Sequence, residues 1–184
     1  MDRLRLNLGC GAFPRAGYTN VDWSPAAKAD VRHDLSAIPY PFPADTAEEI
    51  VADHVLEHLP NPFEAVAEWN RLLEPGGRLV VRDPHFSRGF MHPEHRVGFD
   101  VTFPLYFDPS FPGGFCGTVL GCERRRLRWF AQPWLNRQVL SRPRFLLATL
   151  LGRLIDLAAN LSPEATSRLW CFWVRWMPRS TGPK

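Results

Sequence analysis

A glycine-containing turn followed by a carboxylate is the residue pattern with the clearest chemistry. Residues 6–11 read LNLGCG, and Asp22 follows eleven residues after Gly11. Gly9 and Gly11 allow the backbone to approach a ligand closely and to adopt positive φ. A helix after such a turn would offer free N–H groups to an anion, and Asp22 can accept hydrogen bonds from ribose hydroxyls. The pattern therefore predicts a site for a ribonucleoside that carries an anionic group.

The spacing of the glycines argues against two common nucleotide-binding loops. A dinucleotide fold requires G-x-G-x-x-G, but Pro14 occupies the third glycine position here. A P-loop requires Gly-Lys-Ser or Gly-Lys-Thr, and the sequence contains neither.

Candidate acids and bases cluster directly after a strand expected at 78–82. They are Asp83, His85, His92, His95 and Asp100. Open α/β sheets place their sites at the carboxyl ends of strands, and histidine titrates near neutral pH. We therefore take His95, His85 and Asp83 as candidate catalytic residues. The alternative is that these histidines bond only to backbone or solvent. A metal held by His92 and His95 is a further alternative, but its ligand set is incomplete in the sequence, so we predict no metal.

The elements that must position these residues indicate a mostly parallel α/β sheet. Strands are expected at 3–8, 18–22, 29–34, 49–53 and 78–82. Asn61 and Pro62 are typical of a helix N-cap and first helical position, and residues 75–77 (PGG) should follow the end of that helix.

The second half is more irregular. We expect a short helix near 103–107, a sixth strand at 123–132 and a helix at 144–161. Ser162 and Pro163 would begin a last helix over 164–176. Either residues 170–176 are instead the last strand, or the sheet lacks a regular last strand.

Length and composition indicate one soluble domain. The 184 residues are 45% hydrophobic and 22% charged. The longest apolar stretch, 145–152, is much shorter than the ~20 residues that span a bilayer. The N-terminus lacks the apolar region of a signal peptide, and the four cysteines lack zinc-site spacing. We therefore expect a cytoplasmic protein with reduced thiols.

Charge divides the chain into two halves. Residues 1–92 hold 9 Lys and Arg against 13 Asp and Glu, whereas residues 93–184 hold 13 against 6. The arginines at 124–126 could neutralise phosphates, bind one anionic group of a small substrate or simply face solvent. The apolar residues of 143–176 could contact a membrane surface or cover the sheet.

Residues 6–11 resemble motif I of the class I S-adenosylmethionine-dependent methyltransferases. Asp22 matches the ribose-binding acid of that family, and Asp34-Leu35 its adenine-binding pair. Residues 50–59 (IVADHVLEHL) and 72–79 (LLEPGGRL) are similar to its fourth strand and to the turn before its fifth. The resemblance covers residues 4–83 and is closest to small type-11-like predicted methyltransferases. One departure is Asn7, where most members have an acid.

The resemblance implies a Rossmann-like class I methyltransferase sheet, mostly parallel and flanked by helices. Residues 1–184 would form one domain, with a cofactor-binding half at 1–90 and an acceptor-binding, C-terminal helical half at 91–184. The cofactor would be S-adenosyl-L-methionine. Its expected contacts are Asn7, Gly9, Cys10, Gly11, Asp22, Trp23, Asp34, Leu35 and His54. Glu57 and His58, one turn beyond His54, are expected to be structural.

The implied reaction is methyl transfer to an unidentified acceptor, a small or carbohydrate-type molecule. Two alternatives remain open. The acceptor could be RNA or another polyanion, since the second half is basic. The chain could also be a non-catalytic binding or membrane-peripheral protein with this fold, since Asn7 removes a charge from the cofactor site.

Overall fold

Seven strands form a single sheet. The computed structural model describes residues 3–86, 92–128, 141–161 and 171–177. The strands are β1 (Leu4–Leu8), β2 (Thr19–Asp22), β3 (Val31–Arg32), β4 (Ala47–Asp53), β5 (Leu73–Asp83), β6 (Gly121–Arg128) and β7 (Cys171–Met177). Their order across the sheet is β3-β2-β1-β4-β5-β7-β6. Five strands in the first half are confirmed where the sequence predicts them, but β3 is shorter than expected, and β5 begins at Leu73 and includes residues 75–77, which were expected as a turn.

Strand direction defines where a ligand can bind. β1 to β5 are parallel to one another, and β7 is antiparallel to both β5 and β6. From β1 the chain adds β2 and β3 on one side and β4 and β5 on the other. The strand order therefore reverses between β1 and β4, and open α/β sheets bind ligands outside the carboxyl ends of strands at such a point.

Helix α1 (Pro62–Leu72) covers one face of the sheet. It begins where predicted, because the Asn61 side chain accepts hydrogen bonds from the Phe63 and Glu64 amides. Val66, Trp69 and Leu72 are fully buried in the cluster that includes the central strand residues Leu6, Leu8, Ile50, Leu79 and Val81.

The second half adds helix α2 (Arg142–Leu161) and the short 3-10 helix Phe103–Phe107, both where the sequence predicts them. The Asn160 side chain joins α2 to β6, donating to the Leu127 carbonyl and accepting from the Leu127 amide, each at 2.9 Å. Neither of these helices, nor any other that the structure describes, has the length and apolar character needed to span a bilayer.

Two sequence expectations are wrong. The helix expected over 164–176 cannot extend through β7, because Cys171–Met177 pairs with both β5 and β6; residues 164–170 lie outside the described ranges. A regular last strand is therefore present, and pairing with two neighbours outweighs local helical spacing. The predicted sixth strand is confirmed through Arg128, and residues 129–132 also lie outside the described ranges.

The other correction concerns the glycine turn. No helix follows it: residues 9–18 connect β1 to β2 by turns alone. Pro14 within this ten-residue connection removes an amide donor that a helix interior would need. An anion at this turn would therefore meet loop backbone and side chains and not a helix N-terminus.

Candidate functional site

The glycine turn leaves the end of β1 in a conformation that favours glycine. Gly9 and Gly11 have φ of 64° and 50°. The Gly9 and Cys10 amides both donate to the Val21 carbonyl, at 2.8 and 3.2 Å, which fixes the turn against β2. A Cβ on Gly9 would collide with the Val55 side chain. The turn is therefore packed directly against the segment that follows β4.

Asp22 is bonded to this turn. Its Oδ2 accepts from the Gly11 amide at 2.8 Å, and its Oδ1 accepts from the Ser24 amide at 2.8 Å. Asp22 is only 7% exposed, but a carboxylate oxygen can accept more than one hydrogen bond, so both oxygens retain acceptor capacity. The neighbouring Trp23 is 71% exposed. An oriented carboxylate beside an exposed indole fits a ribose and its base.

Asp34 and Leu35 lie just beyond β3, whose Arg32 pairs with Asp22 of β2. The Asp34 carboxylate accepts from the Ser36 amide and hydroxyl at 2.9 and 2.7 Å. These bonds lower the pKa of Asp34. Leu35 is buried, and its carbonyl accepts from the Tyr40 hydroxyl at 2.8 Å. Asp34 is thus an exposed anion held in a fixed turn.

Asn7 lies beneath the turn and not on its surface. Its side chain is buried and donates to the Asn20 Oδ1 at 2.8 Å. Its Oδ1 accepts from the Arg15 Nε at 3.2 Å, and Arg15 also reaches Asp53 at 3.3 Å. Asn7 therefore orients Arg15 at the end of β1. Arg15 was not a predicted site residue, since a lone arginine in an irregular loop gives no spacing signal.

Cys10 is also turned inward. The residue is 3% exposed, and burial raises the pKa of its thiol, with the charge of Asp22 adding to the effect. Because the thiol is buried, a contact of Cys10 with a cofactor would have to be made by main-chain atoms.

Beyond β4, a buried pair of carboxyl groups stands next to His54. Glu57 is fully buried and Asp83 is 4% exposed. The pKa of Asp83 is raised well above its ordinary value by burial, then by the charge of Glu57 and a hydrogen bond with it. Glu57 Oε2 and Asp83 Oδ1 have no N–H donor within the described residues. Burial and the neighbouring carboxylate therefore favour the protonated form of Asp83, while the hydrogen bonds of Glu57 favour its ionised form.

His54 contacts the other carboxylate oxygen of Glu57. Its backbone has φ of 57°, and its Nδ1 lies 3.2 Å from Glu57 Oε1. The hydrogen bond with Glu57 raises the pKa of His54 against the opposing effect of burial. Burial opposes ionisation of Glu57, but its hydrogen bonds with His54 and Asp83 outweigh that effect, so the pKa of Glu57 is lowered.

Three histidines gather over Glu57. His95 Nε2 is 3.9 Å from Glu57 Oε1, and its side chain is 12% exposed. The His95 ring contacts the His58 ring at 4.8 Å and stacks on the His92 ring at 4.7 Å. The loop that carries His95 is attached by the Arg96 amide, which donates to the Glu57 carbonyl at 2.8 Å.

His85 lies in a different environment. It is fully buried, forms a parallel bridge with Phe99 and contacts the Phe86 ring at 4.4 Å. Burial lowers the pKa of His85 to about 4, with Asp100 opposing the shift. His85 is therefore neutral at physiological pH, and its side chain has no exposed surface for an acceptor.

The structure thus brings most predicted site residues to two adjoining groups. One contains Gly9, Gly11, Asp22 and Trp23; the other contains His54, Asp83 and His95, and the contact between Gly9 and Val55 connects them. Glu57, predicted to be structural, is the residue that links the second group. The only sequence signal for it was the pair of histidines beside it, because burial of a carboxylate depends on the tertiary fold.

Comparisons with known proteins agree with this arrangement. A family model described as a methyltransferase domain matches residues 6–81. The fold is shared with the YcgJ protein of Bacillus subtilis (15% identity over 98% of this chain and 94% of that one, TM-score 0.55). It is also shared with an S-adenosylmethionine-dependent methyltransferase of Archaeoglobus fulgidus (14% identity over 95% of this chain and 86% of that one, TM-score 0.55). The [4+2]-cyclase SpnF is a third similar structure (15% identity over 97% of this chain and 76% of that one, TM-score 0.57). No curated protein matches the chain.

The matched residues include the glycine turn, Asp22, Asp34, the segment after β4 and most of β5, which are the parts that form the site described above. Beyond the matched range, the order and directions of the strands are shared with these structures as a fold. Residues 6–81 therefore form a methyltransferase domain, and S-adenosyl-L-methionine is the cofactor that this match and the shared fold support.

Proposed function

We propose that this methyltransferase acts on a small or carbohydrate-type acceptor bound over the carboxyl ends of β4 and β5. The observation that carries the proposal is that the group at the glycine turn adjoins the group around Glu57, where the strand order reverses between β1 and β4. The Gly9 turn of β1 touches Val55, and the neighbouring His54 contacts Glu57 beneath His95. A cofactor on the turn and an acceptor beside His95 would therefore be adjacent.

The residues at the turn fit the cofactor. Gly9 and Gly11 leave the turn without side chains, Asp22 offers carboxylate oxygens to the ribose, and exposed Trp23 offers a ring to the adenine. Asp34 would accept from the adenine edge, and Arg15 would attract the carboxylate of the amino-acid end. When bound, the cofactor supplies a methyl group already activated on a sulfonium.

His95 is the proposed acceptor-side residue. A hydroxyl or amine acceptor must lose a proton, and an imidazole next to an ionised carboxylate is suited to take it. Glu57, 3.9 Å away, would stabilise the imidazolium that forms. Asp83 and His85 are buried, so we assign them positioning roles: Asp83 holds Glu57, and His85 supports the chain after β5.

The cover over this site favours a compact acceptor. The His58 Nδ1 lies 3.3 Å from the Glu94 carbonyl, and the Arg96 amide bonds to Glu57. Phe63 of α1 contacts the rings of Phe103 and Phe107. Residues 92–107 are thereby attached to the segment after β4 and to α1, which supports a bounded acceptor region.

Titration calorimetry with S-adenosylmethionine tests the base of the proposal. We expect saturable binding by the wild-type chain and binding weaker by about 10–100-fold in Asp22→Asn, because a hydrogen bond to a charged group contributes roughly 1.5–3 kcal/mol. SpnF, which shares this fold, is named as a cyclase, so transfer needs its own measurement. Mass spectrometry of small alcohols, phenols and sugars incubated with enzyme and cofactor should show a methylated product. Cofactor binding without any product in that set would favour the non-catalytic alternative.

A specific observation also supports the polyanion alternative. A groove of about 740 Å³ between β6 and α2 is lined by four arginines: Arg124, Arg125, Arg126 and Arg153. If RNA is the acceptor, its binding should weaken steeply with salt, because phosphate contacts release counterions. Binding to a mixed RNA pool that is absent at low salt, or unchanged between low and high salt, would exclude it.

A further inference from the structure

The buried carboxylate of Glu57 has an unusual set of neighbours. Ligand atoms of Glu57, His58 and His95 all lie within 4.8 Å of one another. Two of these side chains come from the turn after β4 and the third from the loop at 92–96, which the Arg96 amide fastens to the Glu57 carbonyl at 2.8 Å. The cluster is therefore built by two chain segments that are bonded to each other.

The burial of Glu57 requires a compensating positive charge. The residue is fully buried, and an ionised carboxylate in such a place is costly unless it is paired or bound to a metal. Asp83, on one side, is itself a carboxyl group and offers no positive charge. On the other side, the groups described next to Glu57 that can carry a positive charge are two imidazoles. His54 Nδ1 lies 3.2 Å and His95 Nε2 lies 3.9 Å from Glu57 Oε1.

The donor types indicate which cation would fit. One carboxylate oxygen with two imidazole nitrogens is a ligand set of mononuclear zinc and other first-row transition-metal sites. Magnesium and calcium prefer sites built from oxygen ligands. Three protein ligands leave a coordination position open, as catalytic sites do.

The hydrogen bond of His58 supports the same interpretation. Its Nδ1 lies 3.3 Å from the Glu94 carbonyl oxygen. A proton on Nδ1 would donate to that carbonyl and leave the Nε2 lone pair available. Histidines that bind metals commonly use the second ring nitrogen in this way, because the bond fixes both tautomer and ring orientation.

We propose that Glu57, His58 and His95 bind one divalent transition-metal ion of the zinc class. This inference rests on the proposed function in one respect: the open position of the ion would hold an acceptor oxygen beside the cofactor turn. It refines the role of His95, which would act on the acceptor as a metal ligand instead of as a free base. The sequence had suggested His92 with His95, whereas the fold selects Glu57 and His58 from a different segment.

Cobalt(II) is the probe for the test, since its visible absorption reports ligand type and geometry. After treatment with a chelator, the wild-type protein should bind one equivalent of Co²⁺ with visible bands, and excess Zn²⁺ should remove those bands. His58→Ala and His95→Ala should each weaken Co²⁺ binding by at least ~10–100-fold, the loss typical of removing even a supporting residue of a metal site. The control His33→Ala, whose ring contacts Tyr40 and the Ala37 carbonyl, should bind as the wild type does.

Calorimetry with S-adenosylmethionine on the same samples separates this proposal from the proposed function and shows that each variant is folded. Wild-type protein that binds the cofactor but gives no visible Co²⁺ spectrum would overturn the metal site alone. Equal Co²⁺ affinity in wild type, His58→Ala and His95→Ala would also overturn it. Protein that binds Co²⁺ as expected but not the cofactor would refute the proposed function and leave the metal site standing.

Discussion

Asp34 and Asp108 make the same local structure in different places. Each is a surface carboxylate whose Oδ1 accepts from the amide and the hydroxyl of a serine two residues later, at 2.9 and 2.7 Å in both cases. Asp34 follows β3 at the cofactor edge of the sheet, whereas Asp108 follows the 3-10 helix Phe103–Phe107. The pair therefore separates the effect of a lost charge at the site from the effect of a changed turn.

We expect Asp34→Asn to weaken S-adenosylmethionine binding by about tenfold, because a neutral amide makes a weaker hydrogen bond to the adenine edge than a carboxylate does. Asp108→Asn should leave the dissociation constant within about twofold of wild type. Calorimetric titration of both variants measures the difference. Equal affinities in the two variants would remove Asp34 from the cofactor site.

The burial of His85 predicts that the free energy of unfolding depends on pH. Its folded pKa is lowered from 6.5 to about 4 by burial, so the unfolded chain binds more protons than the folded chain between these values. Stability is therefore fully present above pH 6.5 and is lost as pH falls toward 4, by at most ~3 kcal/mol for this residue.

Replacement by an apolar residue should remove that contribution. We expect His85→Leu, beside Phe86 and Phe99, to show a smaller drop in the free energy of unfolding between pH 6.5 and 4 than the wild type. His33→Gln, on the half-buried loop after β3, is the control and should keep the wild-type slope. Urea unfolding across the pH range provides the comparison, and parallel slopes for wild type and His85→Leu would show that His85 is not responsible.

At the scale of elements, the contact between the β1 turn and the segment after β4 carries the site. Gly9 and Gly17 both have positive φ, at 64° and 77°, but a Cβ at Gly9 would strike Val55 while a Cβ at Gly17 would meet nothing within 4 Å. Alanine at either position costs ~1–2 kcal/mol in backbone strain. Only alanine at Gly9 also displaces the neighbouring segment.

We therefore expect Gly9→Ala to weaken cofactor binding by about tenfold or more and Gly17→Ala to affect stability alone. Overpacking of this kind typically costs ~1–3 kcal/mol. The double variant Gly9→Ala/Val55→Ala should recover part of the affinity, because it removes the methyl group that collides. Thermal unfolding and calorimetry of all three variants distinguish strain from displacement. If the second substitution restores no affinity, the collision with Val55 is not the cause.

The elements also show what local sequence determines. The parallel strands and α1 could be predicted, because apolar runs and the Asn61-Pro62 cap act within a few residues. For β7 the sequence left helix and strand open, because its pairing partners, β5 and β6, are distant in sequence and only the fold brings them together. The sequence indicated only a structural role for Glu57 for the same reason: its neighbours Asp83 and His95 lie 26 and 38 residues away in the chain.

At the scale of the whole molecule, arginines of the second half are concentrated in one place. The arginines of β6 and Arg153 of α2 line one groove, together with Asp156. Leu154 and Leu157 line the same groove. Phosphates of RNA would use the arginines alone, whereas an anionic lipid interface would use both the arginines and the leucines.

Helix α2 extends that combination along its outer face. Its exposed leucines are Leu146, Leu147, Leu150, Leu151, Leu154, Leu157 and Leu161, each 48% or more exposed. The opposite face packs through Gly152, Ile155 and Ala159. Arg142, Arg144 and Arg153 accompany the leucines, as in helices that lie in a membrane interface.

We expect the protein to sediment with vesicles that contain anionic lipid and much less with neutral vesicles. Leu150→Glu/Leu154→Glu should reduce binding to the anionic vesicles by about tenfold or more, because it removes apolar contact area and adds charge of the same sign as the lipid. Phe115→Glu/Val119→Glu changes two exposed apolar residues of a loop to the same charges and serves as the control. If both double variants lose binding equally, net charge and not the α2 face controls it, whereas unchanged binding in Leu150→Glu/Leu154→Glu would place the contact elsewhere.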